Sequence, residues 1–366
     1  MAVRPNPIRS LAKSESATAW LLLLPFLCVY AIFLISPFIK GLWISLHEWN
    51  LLAVAFNPDA KSFVGTENYV RVMWGKNIQW FFNARPLVQG LTAIVFVVCA
   101  VRLSMTKPTR TTMLSACVAL AIFFIAGFAP GEGGRWFDRR FWPTVGNTIV
   151  FVSWTVPLVT ILSAILAAAL SRETRLMSFY RTLFFLSNVL SVTVVTLIWQ
   201  IMFSPRQGLL ANVSHVLGGS PISWLTDENF AMAAIVVTTI WWSMGLAMIL
   251  FIAGIRNINP EIYEAATLDN ATGAKAFWYI TLPNLKRTIT LVVVLQIILH
   301  FQVFGQSHLM TSGGPNDTTQ VLVRYIYQTA FRDSDLGRAS AMAMFLFLIM
   351  AIFSAVQFLI MREEQS

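Results

Sequence analysis

The sequence predicts an all-α, polytopic membrane protein with about eight transmembrane helices. Its 366 residues are 57% hydrophobic and only 12% charged, whereas soluble domains carry about 25% charged residues. Apolar runs of about 20 residues, the length of a membrane-spanning helix, recur along the chain. Each run is too long to be a strand, and a helix satisfies its own backbone hydrogen bonds in lipid.

The first predicted span follows three basic residues, Arg4, Arg9 and Lys13. Its apolar run is too long for a signal peptide and lacks a clear cleavage site, so we expect an uncleaved first helix. In chain order, the predicted spans are 18–39, 87–105, 112–129, 146–170, 182–203, 230–254, 287–308 and 339–361.

Basic residues in the short loops predict the orientation of these spans. Loops 102–111 and 171–181 are both basic, and basic loops remain on the cytoplasmic side. Both chain termini are therefore predicted to be cytoplasmic. The net charge of +9 fits such loops and does not require nucleic acid. The cysteines and histidines show no metal-ligand spacing.

The segments predicted outside the membrane divide the chain further. Residues 1–46 hold the cytoplasmic tail and first helix, and residues 47–85 form a periplasmic segment rich in aromatic and charged side chains. That segment is either a small packed cap or an aromatic belt at the lipid surface. Residues 86–130 are predicted to be an inserted pair of transmembrane helices. Residues 130–142 are predicted to be a turn followed by an interfacial anchor.

A polar loop, residues 256–286, lies on the predicted cytoplasmic side between two spans. Asn259 and Pro260 are typical of a helix start. The stretch from Thr267 to Gly273 weakens that helix, and Pro283 punctuates a second one. We expect a short helix, a bend and another helix facing the cytoplasm. A solvated connector is the alternative.

The same loop resembles the "EAA" loop of bacterial ABC-importer permeases. The family pattern is EAA, three intervening residues, a glycine, nine intervening residues, and then Ile-x-Leu-Pro. Glu264-Ala265-Ala266, Ile280 and Leu282-Pro283 stand at these spacings, and Asn270 occupies the glycine position. Asparagine is the residue that next best tolerates a left-handed turn.

Other segments extend the resemblance to permeases of the maltose and glycerol-phosphate type, the carbohydrate importers that depend on a binding protein. They lie in the family's order along the chain and cover roughly 18–75 and 141–361. The segments are Phe63–Tyr69, Asn147–Phe151, Arg181–Leu186, Phe301–Phe304 and Thr311–Pro315.

The resemblance implies a type I ABC-importer permease core over 141–361, with its coupling loop at 256–283. It implies that a separate ATPase binds ATP and Mg, and the chain itself has no GxxxxGK[ST] phosphate loop. The residues implied to couple to the ATPase are Glu264, Ala265, Ala266, Asp269, Asn270, Gly273, Ile280, Leu282 and Pro283.

The resemblance also implies partners and a location. We expect a second, non-identical permease subunit, two ATPase subunits, and a periplasmic or lipid-anchored substrate-binding protein. The chain would lie in the bacterial inner membrane among lipids, without nucleic acid, and would be a transporter subunit with no catalytic or metal site of its own. Alternating access would move a sugar or related polyol from the binding protein to the cytoplasm.

Polar residues within spans are candidates for the substrate path, because amides and hydroxyls bind sugar hydroxyls and aromatic faces stack on sugar rings. Gln296, His300 and Ser307 fall within about 40° on one predicted helix face. Interhelical hydrogen bonding is the alternative role. The candidates are Asn188, Ser191, Trp199, Trp242, Ser243, Gln296, His300 and Ser307.

The turn containing Thr311, Gly313, Gly314 and Pro315 is predicted to contact the binding protein, and a simple turn is the alternative. An ion-coupled secondary transporter or channel subunit is the alternative function. Such a protein would place acidic or arginine pairs in mid-span, and none stands there. A membrane enzyme would need clustered histidines or carboxylates, and no histidine lies near the acidic residues of the cytoplasmic loop.

Overall fold

The computed structural model describes residues 7–57, 59–82, 84–105, 110–206, 208–216 and 219–363. Arg4 and Lys107, two of the basic residues that predict orientation, lie outside these ranges. The helices are α1 (Pro7–Tyr30), α2 (Ser36–Ser45), α3 (Leu51–Phe56), α4 (Glu67–Met73), α5 (Pro86–Met105), α6 (Arg110–Ala126), α7 (Phe141–Leu170), α8 (Arg175–Val189), α9 (Val192–Met202), α10 (Leu209–Val216), α11 (Ala231–Arg256), α12 (Pro260–Leu268), α13 (Ala274–Ala276), α14 (Leu282–Asn284), α15 (Lys286–Phe301), α16 (Leu322–Tyr327) and α17 (Leu336–Glu363).

Short π-helical turns and strands complete the described chain. The π-helical turns are Ala31–Ile35, Phe277–Thr281, Ser307–Thr311 and Gln328–Arg332. The strands are β1 (His47–Glu48), β2 (Ser62–Phe63), β3 (Gly75–Trp80) and β4 (Phe128–Trp136).

The membrane helices confirm the predicted all-α class. Four stretches within the described residues are long and apolar enough to cross a membrane: Thr18–Ser45, α7, α11 and Leu336–Val356. Two bent pairs raise the number to six if each is one span: α8 with α9, bent by 103°, and Ala274–Asn284 with α15, bent by 72°. The apolar parts of α5 and α6 are shorter. The count of about eight spans therefore stays a prediction.

The core lies where α7 and α11 pack along each other. Phe151 and Val159 of α7, and Ile235, Met248 and Phe251 of α11, are fully buried there. Helix α15 packs against α7, and α17 packs against α2. By contrast, the apolar side chains of Thr18–Ser45 are mostly exposed, which suits a surface that faces lipid.

The described residues of the segment 47–85 form α3, α4, β1, β2 and β3, and the choice between a packed cap and an aromatic belt stays a prediction. Strands β1 and β2 pair in antiparallel fashion. The buried Asn68 amide donates hydrogen bonds to the carbonyls of Ser45 (2.9 Å) and His47 (2.8 Å). The Lys61 ammonium lies 4.4 Å from the ring centre of Trp49.

A second antiparallel ladder pairs the two strands that flank α5 and α6 in the sequence. Strand β3 pairs with β4 from Gly75 opposite Trp136 to Trp80 opposite Phe128, and α5 and α6 lie between these strands in the chain. The prediction of a turn and anchor at 130–142 was wrong for its first half, which belongs to β4. The pairing partner of β4 is about 50 residues away in sequence, so local pattern does not reveal it.

Candidate functional site

The helix α12 begins as the sequence predicts. The Asn259 side-chain oxygen accepts a hydrogen bond from the backbone N–H of Glu261 at 3.1 Å, and its amide donates to the Glu261 carboxylate at 3.1 Å. Pro260 occupies the first helical turn, where no intrahelical donor is needed. The segment therefore has a defined start despite standing between two long apolar helices.

Asn270 ends α12 in the left-handed conformation, with φ of 56°. Its N–H donates to the carbonyl of Thr267 at 3.1 Å, and the N–H of Ala271 donates to the carbonyl of Ala266 at 2.8 Å. This pair of bonds is a Schellman motif, whose left-handed position is usually glycine. Gly273, with φ of 56°, makes a second left-handed step before α13.

The loop is tied to the membrane core behind it. The Tyr263 hydroxyl lies 2.9 Å from the Thr281 hydroxyl, which joins α12 to the π-helical turn that precedes α14. Leu285, at the bend before α15, is fully buried in the core cluster. At the other end of the loop, the Arg256 guanidinium lies 3.1 Å from the Glu173 carboxylate, so the loop and residues 171–174 lie at the same end of the molecule.

The predicted coupling residues divide by exposure. Ala266 is buried and faces the protein, whereas Glu264, Ala265, Asp269 and Asn270 are exposed. Gly273 and Pro283 are also exposed, and Ile280 and Leu282 are half-buried.

Large apolar side chains lie exposed on the same loop. Leu268 is 88%, Tyr279 79% and Trp278 61% exposed. These side chains lie on a polar loop that leaves the membrane core, and exposed apolar clusters of this kind mark contact surfaces.

Three of the predicted substrate-path residues meet at the break between α8 and α9. The Trp242 indole N–H donates to the carbonyl of Leu190 at 3.1 Å, and the Asn188 amide donates to the carbonyl of Trp242 at 3.4 Å. Ser191 caps α9 by accepting from the N–H of Val194 at 3.4 Å. These polar groups are thus used between or within helices, which is the alternative role considered above.

Ser243 and Trp199 behave differently from each other. The Ser243 hydroxyl donates to the carbonyl of Thr239 within α11 at 2.7 Å. The Trp199 indole N–H is buried without a hydrogen-bond acceptor, and its ring lies 6.0 Å from Trp241 and 5.2 Å from Phe203.

Gln296 and His300 lie one turn apart on α15, and both are buried. Among the described residues, the side-chain oxygen of Gln296 and Nδ1 of His300 meet no hydrogen-bond partner, and the His300 ring lies 6.0 Å from Phe151. Within the described part of the chain, no hydrogen bond or ring contact joins this pair to the residues at the α8–α9 break. The substrate path therefore stays a prediction.

Ser307 does not share the helix face of Gln296 and His300, so that prediction was wrong. Helix α15 ends at Phe301, and Ser307 begins a separate π-helical turn. Its buried hydroxyl donates to the carbonyl of Thr319 at 2.6 Å. The apolar sequence continues through this break, and hydropathy alone gives no sign of it.

The predicted binding-protein turn is held tightly by internal bonds. The hydroxyls of Thr311 and Thr319 lie 2.6 Å apart, and Thr319 donates to the carbonyl of Gly314 at 2.7 Å. Gly313 has φ of 80°, and a Cβ there would meet the Gln320 and Arg324 side chains. Pro315 follows, half-buried. The positive φ therefore favours glycine at this position, whatever the turn contacts.

The surroundings of this turn are basic. Burial lowers the pKa of Arg324, and Arg332 lowers it further, against Asp317, which raises it. Burial, Arg324 and Arg332 together lower the pKa of His308.

The turn at Thr311–Pro315 and the predicted coupling loop lie at opposite ends of α7. The Asn147 amide, near the start of α7, donates to the carbonyls of Asp317 (2.8 Å) and Gln320 (3.2 Å). The loop lies near residues 171–174, after the end of α7. Thirty helical residues span about 45 Å, enough to separate the two sides of a membrane.

Sequence reasoning noted Asn147 only within a motif and did not assign its bonds. Thr148, beside it, accepts from the N–H of Leu322 at 2.9 Å. Both residues therefore bond α7 to the segment that follows the turn at Thr311–Pro315. Polar residues in the first turns of a span are the signal that would have indicated them.

Comparison with known proteins finds relatives along most of the chain. The sequence model of the family described as "Binding-protein-dependent transport system inner membrane component" matches residues 160–363. A probable ABC transporter permease protein of Bacillus subtilis (strain 168) is 28% identical over 345 residues, which cover 92% of this chain and 94% of that protein. A lactose transport system permease protein of Rhizobium radiobacter is 33% identical over 236 residues, covering 63% of this chain and 79% of that protein.

Solved structures share the fold. A bacterial ABC transporter involved in the import of the acidic polysaccharide alginate matches with a TM-score of 0.66 and 17% identity, covering 98% of this chain and 99% of that chain. A bacterial alginate ABC transporter in complex with a pentasaccharide-bound periplasmic protein matches with a TM-score of 0.53 and 22% identity, covering 61% and 77%.

Proposed function

The chain belongs to the family of binding-protein-dependent transport system inner membrane components, and from this premise we propose that it carries a sugar or related polyol through the inner membrane. It is a multi-pass permease subunit of an ABC importer. The curated relatives include permeases for lactose and for sn-glycerol-3-phosphate. The cargo of this chain is proposed from those names and from its own residues.

One observation supports the coupling role most strongly: a capped helix with a left-handed end projects exposed residues from the core while remaining bonded to it. Glu264 and Ala265 are available to a partner, whereas Ala266 packs inward. The exposed Leu268 adds apolar surface. We assign this surface to an ATPase subunit, which would bind ATP and Mg.

The loop is also placed to move the membrane helices. A push on α12 would reach the π-helical turn through the bond between Tyr263 and Thr281. That turn leads directly to Leu285, which packs beside Gly254 of α11. Helix α11 in turn packs along α7. ATP-driven closure would thus bias two arrangements of these helices, as alternating access requires.

The proposed cargo path uses the buried groups that keep unfilled hydrogen-bonding capacity. Those on α9 and α15 are the Trp199 N–H, the Gln296 oxygen and Nδ1 of His300. An indole face and uncharged polar atoms suit sugar rings and hydroxyls. The bonded residues Asn188, Ser191, Trp242 and Ser243 would instead hold the helices in register.

The remaining assignments follow from the family and the charge pattern. We propose a second, non-identical permease subunit, two ATPase subunits, and a binding protein that contacts the turn at Thr311–Pro315. Both chain termini would be cytoplasmic. The divisions at 1–46, 47–85, 86–130 and 141–361 are kept as proposed units.

Co-purification tests the coupling surface. We expect Glu264→Arg combined with Ala265→Trp to lose the ATPase subunit, because both side chains are exposed on α12. Ala266 is left intact, because at 7% exposure its replacement by tryptophan would disrupt the loop itself. Glu132→Arg, an exposed site on β4, is the matched control. Equal retention of the ATPase by the double variant and the control would refute the proposed docking surface.

A further inference from the structure

The inserted helices and the core enclose a crevice of about 480 Å³. Its walls are apolar and come from three helices: Val88 of α5, Ile122 and Ile125 of α6, and Val145 and Ile149 of α7. The crevice lies at the end of α7 that carries the β3–β4 ladder. The crevice therefore depends on α5 and α6 as well as on α7.

Two arginines border the crevice at its polar end. The Arg85 guanidinium lies 5.6 Å from the ring centre of Trp136 and 5.2 Å from that of Trp142. Burial lowers the pKa of Arg85, yet a guanidinium remains charged at neutral pH. Arg139 lies in the same wall. Among the described residues, neither guanidinium has a carboxylate within ion-pair distance.

The crevice continues into a basic bowl of about 610 Å³ on the outer face. Trp136, Asp138 and Arg139 line both spaces. The bowl adds Arg135, Arg140 and Arg338.

Most of the other charges in the bowl are already paired. Arg140 lies 3.2 Å from the Asp317 carboxylate, and Arg338 lies 2.8 Å from that of Asp335. The Asp138 carboxylate accepts the Tyr325 hydroxyl at 2.8 Å and the N–H of Arg140 at 2.9 Å. Arg85, Arg135 and Arg139 carry three positive charges against the one negative charge of Asp138, whose hydrogen-bond donors are neutral, so the space keeps a net positive charge.

We propose that this crevice binds an anionic phospholipid, with an acyl chain between α6 and α7 and the headgroup phosphate at Arg85 and Arg139. An apolar slot that continues into a basic bowl matches one amphipathic anion. A free saccharide would leave the apolar walls uncovered, and a helix from another subunit would leave the arginines without a partner. With the termini cytoplasmic, the lipid belongs to the outer leaflet of the inner membrane. Only the choice of leaflet rests on the proposed function, because it depends on the proposed orientation of the termini.

Lipid retention by the purified importer complex tests the site. The complex is washed in detergent, offered phosphatidylglycerol or phosphatidylcholine, and examined by native mass spectrometry. We expect wild type to retain phosphatidylglycerol preferentially. Arg85→Gln with Arg139→Gln is expected to weaken retention by about fivefold for each arginine removed. Arg332→Gln, an exposed arginine elsewhere on the chain, is the control and should retain lipid as wild type does.

A second variant fills the crevice without changing charge. Gly146 lines the crevice, and a Cβ built there meets nothing within 4 Å, so Gly146→Leu has room to fold and should displace the acyl chain. Equal phosphatidylglycerol retention by wild type and both variants would overturn the site. Equal retention of the two lipids by wild type would overturn the headgroup assignment.

A photo-crosslinking residue at Ile149 identifies the occupant directly. We expect a phospholipid adduct on the intact complex, since Ile149 lines the crevice. An adduct with another protein chain or with a saccharide would overturn the proposal. Failure of the coupling test at Glu264 would leave this adduct unchanged, so the two proposals fail separately.

Discussion

Alanine at position 270 is expected to weaken the turn that ends α12. The left-handed φ of 56° costs an ordinary L-residue about 1–2 kcal/mol, which asparagine offsets in part by local hydrogen bonding. Asn270→Ala should therefore shift the turn toward other conformations by up to about five- to thirtyfold. Asn270→Gly should keep or raise its population, because glycine has no Cβ to clash.

Hydrogen exchange on the purified complex measures that population. The turn protects the N–H groups of Asn270 and Ala271 through bonds of 3.1 and 2.8 Å. We expect a peptide covering 262–272 to exchange faster in Asn270→Ala and no faster in Asn270→Gly. Asn257→Ala is the matched control, because Asn257 ends α11 with φ of −84°. Equal exchange in the alanine and wild-type proteins would refute the reasoning.

Wild type, Asn270→Ala and Asn270→Gly also test whether the turn matters for transport. ATP-driven uptake in proteoliposomes should fall in Asn270→Ala and persist in Asn270→Gly. An alanine variant with faster exchange but full uptake would separate the geometry of the turn from coupling.

Further substitutions test packing, ionisation and the link behind the loop. Gly245→Ala is expected to lower the free energy of unfolding by about 1–3 kcal/mol, because its methyl would meet a backbone carbonyl of α8. Gly90→Ala is the control, because a Cβ there meets nothing within 4 Å. Equal melting temperatures for the two variants would contradict this packing. Burial and Asp138 raise the pKa of Tyr325 above 10.0, so the stability that its neutral phenol supplies is complete below that pH and lost as the pH rises further. Tyr325→Phe should therefore flatten the alkaline fall in melting temperature, and an unchanged fall would exclude Tyr325 as its source. Tyr263→Phe and Thr281→Val should show a coupling energy of about 0.5–1.5 kcal/mol in loop exchange, and strictly additive effects would argue against their hydrogen bond.

Hydropathy and capping residues predict the long elements well. The predicted span 146–170 lies within α7, and the predicted span 230–254 matches α11 except for Phe230, because a run of about 20 apolar residues has few stable alternatives in lipid. The start of α12 at Asn259 and Pro260 is equally local. Each of these features depends on residues within a few positions of one another.

Hydropathy does not reveal where a helix breaks within an apolar run. The run 182–203 bends by 103° between α8 and α9, and the run 287–308 ends its helix at Phe301. At the first break, the indole of Trp242 on α11 donates a tertiary hydrogen bond to the carbonyl of Leu190. A face calculated at 100° per residue cannot cross such a break, which is why Ser307 was misplaced.

The ladder of β3 and β4 brings together the two ends of the predicted insertion. Because the strands are antiparallel, with Trp80 opposite Phe128, the chain leaves and re-enters the fold at one place. Helices α5 and α6 therefore begin and end at the same side, whether both cross the membrane or both stop short of it. The orientation of α7 and of every later span is the same in either case. The crevice beneath the ladder needs α5 and α6 as walls, so a relative without these helices would keep the core and lose the proposed lipid site.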